Sequence, residues 1–257
     1  MEARKAPAAH GWLWIKQAFE LFRKSPLIWM VVTAIGVVGM AAISYIPLIG
    51  SPLSTILMPL LLAGFMLGAR DLERGEELEL AHLFAGLQHN AQELVALGGI
   101  NLVGQLLSLG AMMLVGGSSL VRLVMSGQEI NDPAILAQAL AGAGLALLVG
   151  AVLFSLLLMA MQFAPMLVIF GHMKPLQAMK ASLRAFLRNW LPLTVYGLLL
   201  MPFAFIASVP MMLGWLLLMP IIIASMYVIY VDLFPSHDGE PQIIEGEVAG
   251  NDEQSHY

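Results

Sequence analysis

The residues in this chain that could do chemistry are few and far apart. Six histidines are scattered along 257 residues and there is no cysteine. No His-Glu-x-x-His motif, nucleophile elbow or phosphate-binding loop occurs. Hydrolysis in apolar surroundings would need a buried acid pair, a serine with a base, or a set of metal ligands. Because the sequence assembles none of these, we predict that the protein is not an enzyme and uses no metal or cofactor.

Three amides stand out because they lie within long apolar segments. Asn101 and Gln105 are four residues apart and would share one face of a helix, and Gln162 lies in the next apolar segment. Such side chains form a candidate intramembrane polar site that lines a pore or binds a substrate. The alternative is that they hydrogen-bond across helices, which contributes about 0.6–2 kcal/mol to stability. We prefer the packing interpretation.

Two acids occupy matching positions at the ends of apolar segments. Asp71 and Asp232 each follow about 20 apolar residues. An acid at a helix C-terminus opposes the helix macrodipole, so we expect a compensating partner such as an arginine. We prefer a solvated interface residue to an ion site at both positions.

The elements that must position these residues are membrane-spanning helices. Hydrophobic residues make up 59% of the chain and charged residues 11%, and the mean hydropathy is +0.83. These values are typical of an integral membrane protein. Segments of about 20 apolar residues can cross a bilayer, and six qualify: 27–46, 52–69, 94–115, 140–169, 191–208 and 211–231. The fourth is longer than a bilayer requires, and Pro165 beside its end suggests a kink or a broken helix.

The distribution of basic residues predicts the orientation. Of the 12 Lys and Arg residues, Arg122 alone falls in a predicted outer loop. Lys and Arg near span ends resist translocation, so both termini are predicted to be cytoplasmic. The remaining basic residues fall on the predicted inner side: Arg4, Lys5, Lys16, Arg23, Lys24, Arg70, Arg74, Lys174, Lys180, Arg184 and Arg188.

Two basic amphipathic helices are predicted at 12–24 and 175–189. With their apolar faces toward the bilayer, such helices lie in the headgroup region and attract anionic lipid. The alternative is that they are ordinary positive-inside anchors. The candidate lipid-headgroup contacts are Lys16, Arg23, Lys24, Lys180, Arg184 and Arg188.

An internal repeat relates the two ends of the chain. Trp12, Ile15, Phe19 and Phe22 recur as Leu176, Met179, Leu183 and Phe186 after a shift of 164 residues, and the same shift relates Ser44 to Ser208 and Gly50 to Gly214. A weaker middle copy contains Leu80, Phe84 and Leu87. Duplication explains the outer pair best, and for the middle copy chance similarity is an equal alternative.

These patterns predict an all-α, polytopic membrane protein of six transmembrane helices, arranged as three units of an amphipathic helix followed by a hairpin. The predicted units span 11–72, 73–172 and 173–234, after a cytoplasmic N-terminal tail at 1–10. The middle unit has a larger periplasmic loop at 116–138. The last residues, 235–257, are acidic and lack Lys and Arg, so we expect a disordered cytoplasmic tail.

Small residues recur at the spacing that lets helices approach closely. Gly64 and Gly68 form a Gly-x-x-x-Gly pair, and Gly142, Ala146 and Gly150 form a longer stripe. In a bilayer, close backbone contact supplies much of the attraction between helices. We expect these stripes to pack helices within one protomer.

Several sequence motifs resemble a known family. Gly11-Trp12-Leu13 with Phe19, Phe22 and Pro26 is similar to the start of the first hairpin in an uncharacterised family of six-helix inner-membrane proteins of Gram-negative bacteria. Further similarity lies in Phe163-Ala164-Pro165-Met166-Leu167, in Ala178, Ser182, Phe186 and Asn189, and in the stretch at 243–248.

More distantly, the chain resembles YciC-type proteins and the membrane domain attached to some glycerophosphodiester phosphodiesterases. The resemblance implies a bacterial inner-membrane location and transfers no catalytic residue.

The sequence as a whole predicts a non-enzymatic scaffold or accessory protein of the inner membrane. Its expected partners are anionic membrane lipid and a protein bound by the acidic tail, with no nucleic acid and with self-association open. The alternative is a small permease or lipid-handling transporter built around Asn101 and Gln105.

Overall fold

A computed structural model describes residues 3–117 and 133–235, and for residues 133–142 it describes only the backbone. Arg122 and the acidic tail beyond residue 235 therefore lie outside the described residues. The described chain forms helices and connecting turns, with no strand. The α-helices are α1 His10–Lys24, α2 Pro26–Ser44, α3 Gly50–Glu73, α4 His82–Gln88, α5 Ala91–Met112, α6 Pro133–Met161, α7 Ala164–Ile169, α8 Pro175–Arg188, α9 Trp190–Ser208 and α10 Trp215–Leu233, and a π-helical turn, Met113–Gly117, follows α5.

The predicted all-α polytopic fold is confirmed. Within the described residues, six helical segments are long and apolar enough to cross a membrane: α2, α3, α5 with part of the π-helical turn, α6 with α7, α9 and α10. Helices α3 and α10 are the most enclosed, with 50% and 56% of their apolar windows buried, against 17% for α5 and 11% for the α6–α7 segment. The core therefore surrounds α3 and α10, and the remaining spans present apolar side chains outward, as a bilayer requires.

The fourth predicted span, 140–169, is not one helix. It divides at Gln162 and Phe163, between α6 and α7, with Pro165 in the first turn of α7. A residue before proline is disfavoured in the helical region, and proline has no N–H to continue the ladder. The predicted loop at 116–138 also extends too far, because α6 already begins at Pro133.

The two outer turns of the repeat have the same construction. A Cβ on Gly50 would lie 2.3 Å from the Ile43 carbonyl oxygen, and a Cβ on Gly214 would lie 2.5 Å from Ala207 Cα. Each glycine thus lets the turn fold back against the span before it. The sixth predicted span began too early, at 211, because Met211 and Met212 have φ angles of 49° and 69° and belong to the turn.

Helix α4 is bound closely to α3 by glycine. A Cβ on Gly64 would lie 2.1 Å from the His82 carbonyl oxygen, and one on Gly86 would lie 2.1 Å from the Leu60 carbonyl oxygen. A Cβ on Gly68 would lie 2.6 Å from Leu78 Cδ1, a side-chain atom of the segment that precedes α4. The expected use of the Gly64 and Gly68 stripe inside one protomer is therefore what the structure shows.

The amphipathic helices pack in a consistent order. Helix α4 lies on α3, the last helix of the predicted first unit, and α8 lies on α6 and α7 at the end of the predicted second unit. Helix α1 lies on α10 and α9, which end the predicted third unit. Helices α4 and α8 thus each pack on the unit that precedes them in the chain. Helix α1, which has no preceding unit, packs on the last one. The unit boundaries stay a prediction, which this packing favours.

Alanine at Gly64 should destabilise the fold. Its Cβ would overlap the backbone of His82, so α4 must move away, at a cost of about 1–3 kcal/mol. Gly99→Ala is the matched control, because that position has nothing within 4 Å and should keep or gain stability. Unfolding free energies in mixed micelles measure the difference. Equal stability of the two variants would contradict the close α3–α4 packing.

Candidate functional site

The densest polar cluster in the described chain surrounds Asp232, in the last turn of α10. Its side chain is only 2% exposed. The indole Nε1–H of Trp14 donates to Oδ2 at 2.8 Å, and His10 Nδ1 lies 2.7 Å from the same oxygen. The Arg4 guanidinium pairs with Oδ1. An acid that is both buried and at a helix C-terminus needs this compensation.

The expected arginine partner of Asp232 is thus present, but the solvated interpretation of this residue is wrong. Residues 3–9, which we call the N-terminal strap, lie across the end of α10 and exclude water from the carboxylate. The Arg4 N–H donates to the Leu233 carbonyl at 2.8 Å, and Ala3 and Ala6 are buried. The strap therefore belongs to the folded body, although the sequence predicted a tail at 1–10.

Asn189 fastens the other side of the strap. This residue is fully buried between α8 and α9. Its Oδ1 accepts the Ala6 N–H at 2.8 Å, and its Nδ2 donates to the Arg4 carbonyl at 2.9 Å. One amide side chain thus satisfies a donor and an acceptor of an irregular segment that would otherwise be buried unpaired.

Asp71 has a similar but more open environment at the end of α3. The Arg70 Nε–H donates to Oδ1 at 3.1 Å, and His82 Nε2 lies 3.2 Å from Oδ2. The Asp71 side chain is 20% exposed, against 2% for Asp232. Both acids therefore recruit a histidine and an arginine, but only Asp232 is sealed from solvent.

The six predicted lipid-contact residues lie on α1 and α8, and the structure places all of them at the surface. Lys16 and Arg23 alternate with exposed Trp12 and Phe19 along one side of α1, and the Arg23 guanidinium lies 6.0 Å from the Phe19 ring centroid. On α8, Lys180, Arg184 and Arg188 lie among exposed Leu176 and Leu187.

The residues of the predicted apolar face of α1 do not all lie on the same side of the folded protein. Ile15 and Phe22 are buried against the bundle, whereas Trp12 and Phe19 from the same predicted face are exposed. The buried side of α1 is instead formed with Trp14 and Ala18, because α9 and α10 cover it. Helix α1 therefore lies between protein on one side and the surroundings on the other.

Lys24 has a defined structural role at the end of α3. Its Nζ donates to the carbonyls of Leu72 and Glu73, both at 3.2 Å. These carbonyls belong to the last turn of α3, where the regular i to i+4 bonds of the helix end, and a cation there also complements the macrodipole. Lipid contact by Lys24 stays a prediction.

The three amides predicted as an intramembrane site are not joined in this structure. Asn101, Gln105 and Gln162 are partly buried. No hydrogen bond connects their side chains to one another or to any other residue that the structure describes. The preferred interpretation, hydrogen bonding across helices, is therefore not what the described residues show, and a binding role stays a prediction.

Most of the Asp232 cluster was missed at the level of sequence. Arg4 was counted only among the basic residues of the inner side, Asn189 appeared only in the family resemblance, and His10 and Trp14 were not singled out. The one available signal was Asp232 itself, an acid directly after an apolar span. No group of three or more His, Cys, Asp or Glu residues suited to a metal occurs in the described part of the chain.

Comparison with known proteins gives one curated relative. The chain is 29% identical over 204 residues to a probable inner membrane protein of Burkholderia thailandensis, covering 77% of this chain and 75% of that protein. No protein-family profile matches the chain, and no solved structure matches it. This relative and the six apolar helices support a multi-pass inner-membrane protein. The resemblance to YciC-type proteins and to phosphodiesterase membrane domains stays a prediction.

Removal of the Asp232 carboxylate should destabilise the protein more than removal of its counterpart. In Asp232→Ala the buried Trp14 N–H loses its acceptor, which costs about 1–3 kcal/mol, and Arg4 loses its counter-charge. Asp71→Ala is the control, because the Asp71 side chain is 20% exposed, against 2% for Asp232. Thermal unfolding in detergent should show the larger loss for Asp232→Ala. A smaller loss than for Asp71→Ala would contradict the sealed environment of Asp232.

Asn189→Ala should release the N-terminal strap. The strap then keeps its Arg4 contacts at α10 but loses both bonds to the Asn189 amide. Local opening exposes the backbone to proteases, so trypsin should cleave after Lys5 several times faster than in the wild type. Asn101→Ala, an amide with no such bonds, serves as the control. An unchanged cleavage rate in Asn189→Ala would show that the amide does not hold the strap.

Proposed function

We propose that the protein is a non-enzymatic scaffold or accessory protein of the inner membrane that binds anionic lipid through α1 and α8 and a protein partner through its acidic tail. The observation that carries the lipid part is the mixed exposed side of these two helices. Large apolar and basic side chains share that side, which is typical of helices that lie in the membrane interface.

The exposed side of α1 has the spacing of one helix face. Trp12, Lys16, Phe19 and Arg23 follow one another at intervals of four, three and four residues. Aromatic rings prefer the interface, and basic heads reach phosphate while their stems stay among apolar groups. This combination supports contact with a charged lipid surface rather than with water alone.

The exposed side of α8 repeats this arrangement at a fixed angle to the bundle. Ser182 Oγ accepts the Phe163 N–H at 3.0 Å and donates to the Met159 carbonyl at 2.8 Å. These bonds tie α8 to the break between α6 and α7. Because Ser182 and Ala178 are fully buried on one side, Lys180 and Arg184 must face outward. A basic surface with a fixed direction supports lipid binding beyond simple anchoring.

The partner role of the tail rests on its charge. Residues 235–257 contain six acids and no Lys or Arg, while the whole chain has a net charge of −5. An acidic segment with few apolar residues suits a basic surface on another protein. The acidic residues of the tail would also be repelled by the anionic lipid that α1 and α8 would attract.

The lipid part is tested by removing charge from α8. Lys180→Gln, Arg184→Gln and Arg188→Gln together should lower the enrichment of phosphatidylglycerol around the protein at least tenfold, since each basic residue contributes about 1 kcal/mol. Native mass spectrometry of protein released from nanodiscs of defined composition measures the enrichment.

The matched control removes three exposed basic residues outside α1 and α8: Lys5→Gln, Arg74→Gln and Lys174→Gln. This variant should keep most of the enrichment. If both triple variants lose it equally, the basic residues act only as general anchors and the proposal is wrong. Unfolding temperatures of both variants verify that the fold is kept.

A further inference from the structure

A cavity of about 500 Å³ opens where α1 passes into α2, beside the loop that follows α3. Small-molecule sites in proteins commonly have volumes of about 300–1,000 Å³, so this cavity is large enough for a polar headgroup. Two segments of the chain line it. Lys24, Ser25 and Ile28 form one side, and Leu72 with Gly75–Leu78 forms the other.

The position of the cavity is that of a lipid headgroup. Ser25 precedes Pro26, the first residue of the span α2, and Ile28 is in the first turn of that span. Leu72 is in the last turn of the span α3. The cavity therefore lies between the ends of two neighbouring spans, at the depth where headgroups meet the hydrocarbon region.

Opposite charges line the cavity. The Lys24 side chain extends from α1 to the end of α3, and Glu76 and Glu77 lie on the loop that follows α3. The two carbonyl bonds of Lys24 account for two of the three donors of its ammonium group, which leaves one N–H for an anion. Leu72 and Leu78 are buried beneath these groups and form an apolar floor.

The acidic side of the cavity is held in place by the end of α3. The Gly75 N–H donates to the Leu72 carbonyl at 3.2 Å, and the Glu76 N–H donates to the Asp71 carbonyl at 2.9 Å. With Gly75 at φ 87°, these bonds form a Schellman motif, which fixes the direction of the chain leaving the helix. The backbone of Glu76 is thus set in position before any ligand binds.

We propose that this cavity binds the headgroup of a zwitterionic aminophospholipid, with the phosphate at Lys24 and the primary ammonium at Glu76 and Glu77. The lipid headgroup and the free solute share the chemistry of phosphoethanolamine, in which an anionic phosphate and a cationic ammonium with N–H donors lie a few bonds apart. A primary ammonium donates charge-assisted hydrogen bonds to two carboxylates, whereas a trimethylated choline has no N–H to donate. Ile28, which is exposed toward the span side, contacts the lipid beyond its headgroup.

This site shares Lys24 with the candidate lipid contacts on α1, but it differs from them in charge. The contacts on α1 and α8 combine apolar and basic side chains and favour anionic lipid, whereas the cavity requires both signs of charge. Glu76 and Glu77 would repel phosphatidylglycerol from the cavity. Either proposal can therefore fail without the other.

The test uses the full chain in nanodiscs with equal parts of phosphatidylethanolamine, phosphatidylcholine and phosphatidylglycerol. Native mass spectrometry after mild delipidation should find one retained phosphatidylethanolamine, with at least a fivefold preference over phosphatidylcholine. The variant Glu76→Gln/Glu77→Gln should lose this preference and keep the enrichment of phosphatidylglycerol. Glu79→Gln removes an acid from the same loop outside the cavity lining and should behave as the wild type.

Three outcomes would overturn the proposal. Equal retention of phosphatidylcholine would show that the cavity does not recognise an ammonium N–H. A preference that survives in Glu76→Gln/Glu77→Gln would place the bound lipid elsewhere. Displacement of the retained lipid by stoichiometric soluble phosphoethanolamine would identify a free solute, not a lipid, as the ligand. The unfolding temperature of each variant distinguishes lost binding from lost fold.

Discussion

One buried carboxylate joins the first and last parts of this fold. Asp232 ends the last span, and burial of its charge is tolerated only with an opposite charge and hydrogen-bond donors beside it. Those partners come from Arg4, His10 and Trp14, more than 200 residues away in the chain. Helix α1 is therefore oriented by the need to deliver its first turns to α10. The exposed side of α1, with Lys16 and Arg23, follows from that orientation.

Asp71 is also an acid at the C-terminal end of a span, and its charge is compensated by fewer hydrogen bonds than that of Asp232. There the histidine comes from α4, the next amphipathic helix along the chain, and the arginine is the adjacent residue. No segment like the N-terminal strap covers the Asp71 carboxylate among the described residues, so solvent also stabilises its charge. In both cases the acid at the end of a span is met by a histidine at the start of an amphipathic helix. This relation gives a physical reason for the order in which α1 and α4 pack on α10 and α3.

The sequence predicted the features that depend on composition and spacing. Six spans follow from apolar length, and the tight packing of α4 on α3 follows from Gly64 and Gly68, although the partner helix could not be named. The strap could not be predicted, because residues 3–9 have no periodic pattern and are held mainly by backbone bonds and by Asn189. For the same reason the burial of Asp232 was missed. Whether an acid at a span end is solvated depends on what lies over it, and that is tertiary information.

The position of the break between α6 and α7 also depends on tertiary contacts that the sequence does not reveal. Pro165 indicated a kink or break, but the helix ends before it, at Gln162 and Phe163, because the freed Phe163 N–H finds an acceptor in Ser182 of α8. A break inside a span is tolerated only where the freed backbone groups are satisfied by neighbouring protein. Ser182 is thus both the partner that permits the break and the residue that fixes the angle of α8. The direction in which Lys180 and Arg184 face is therefore a consequence of how one interrupted span satisfies its backbone. A lipid surface recognised by α8 would be positioned by that single hydroxyl group.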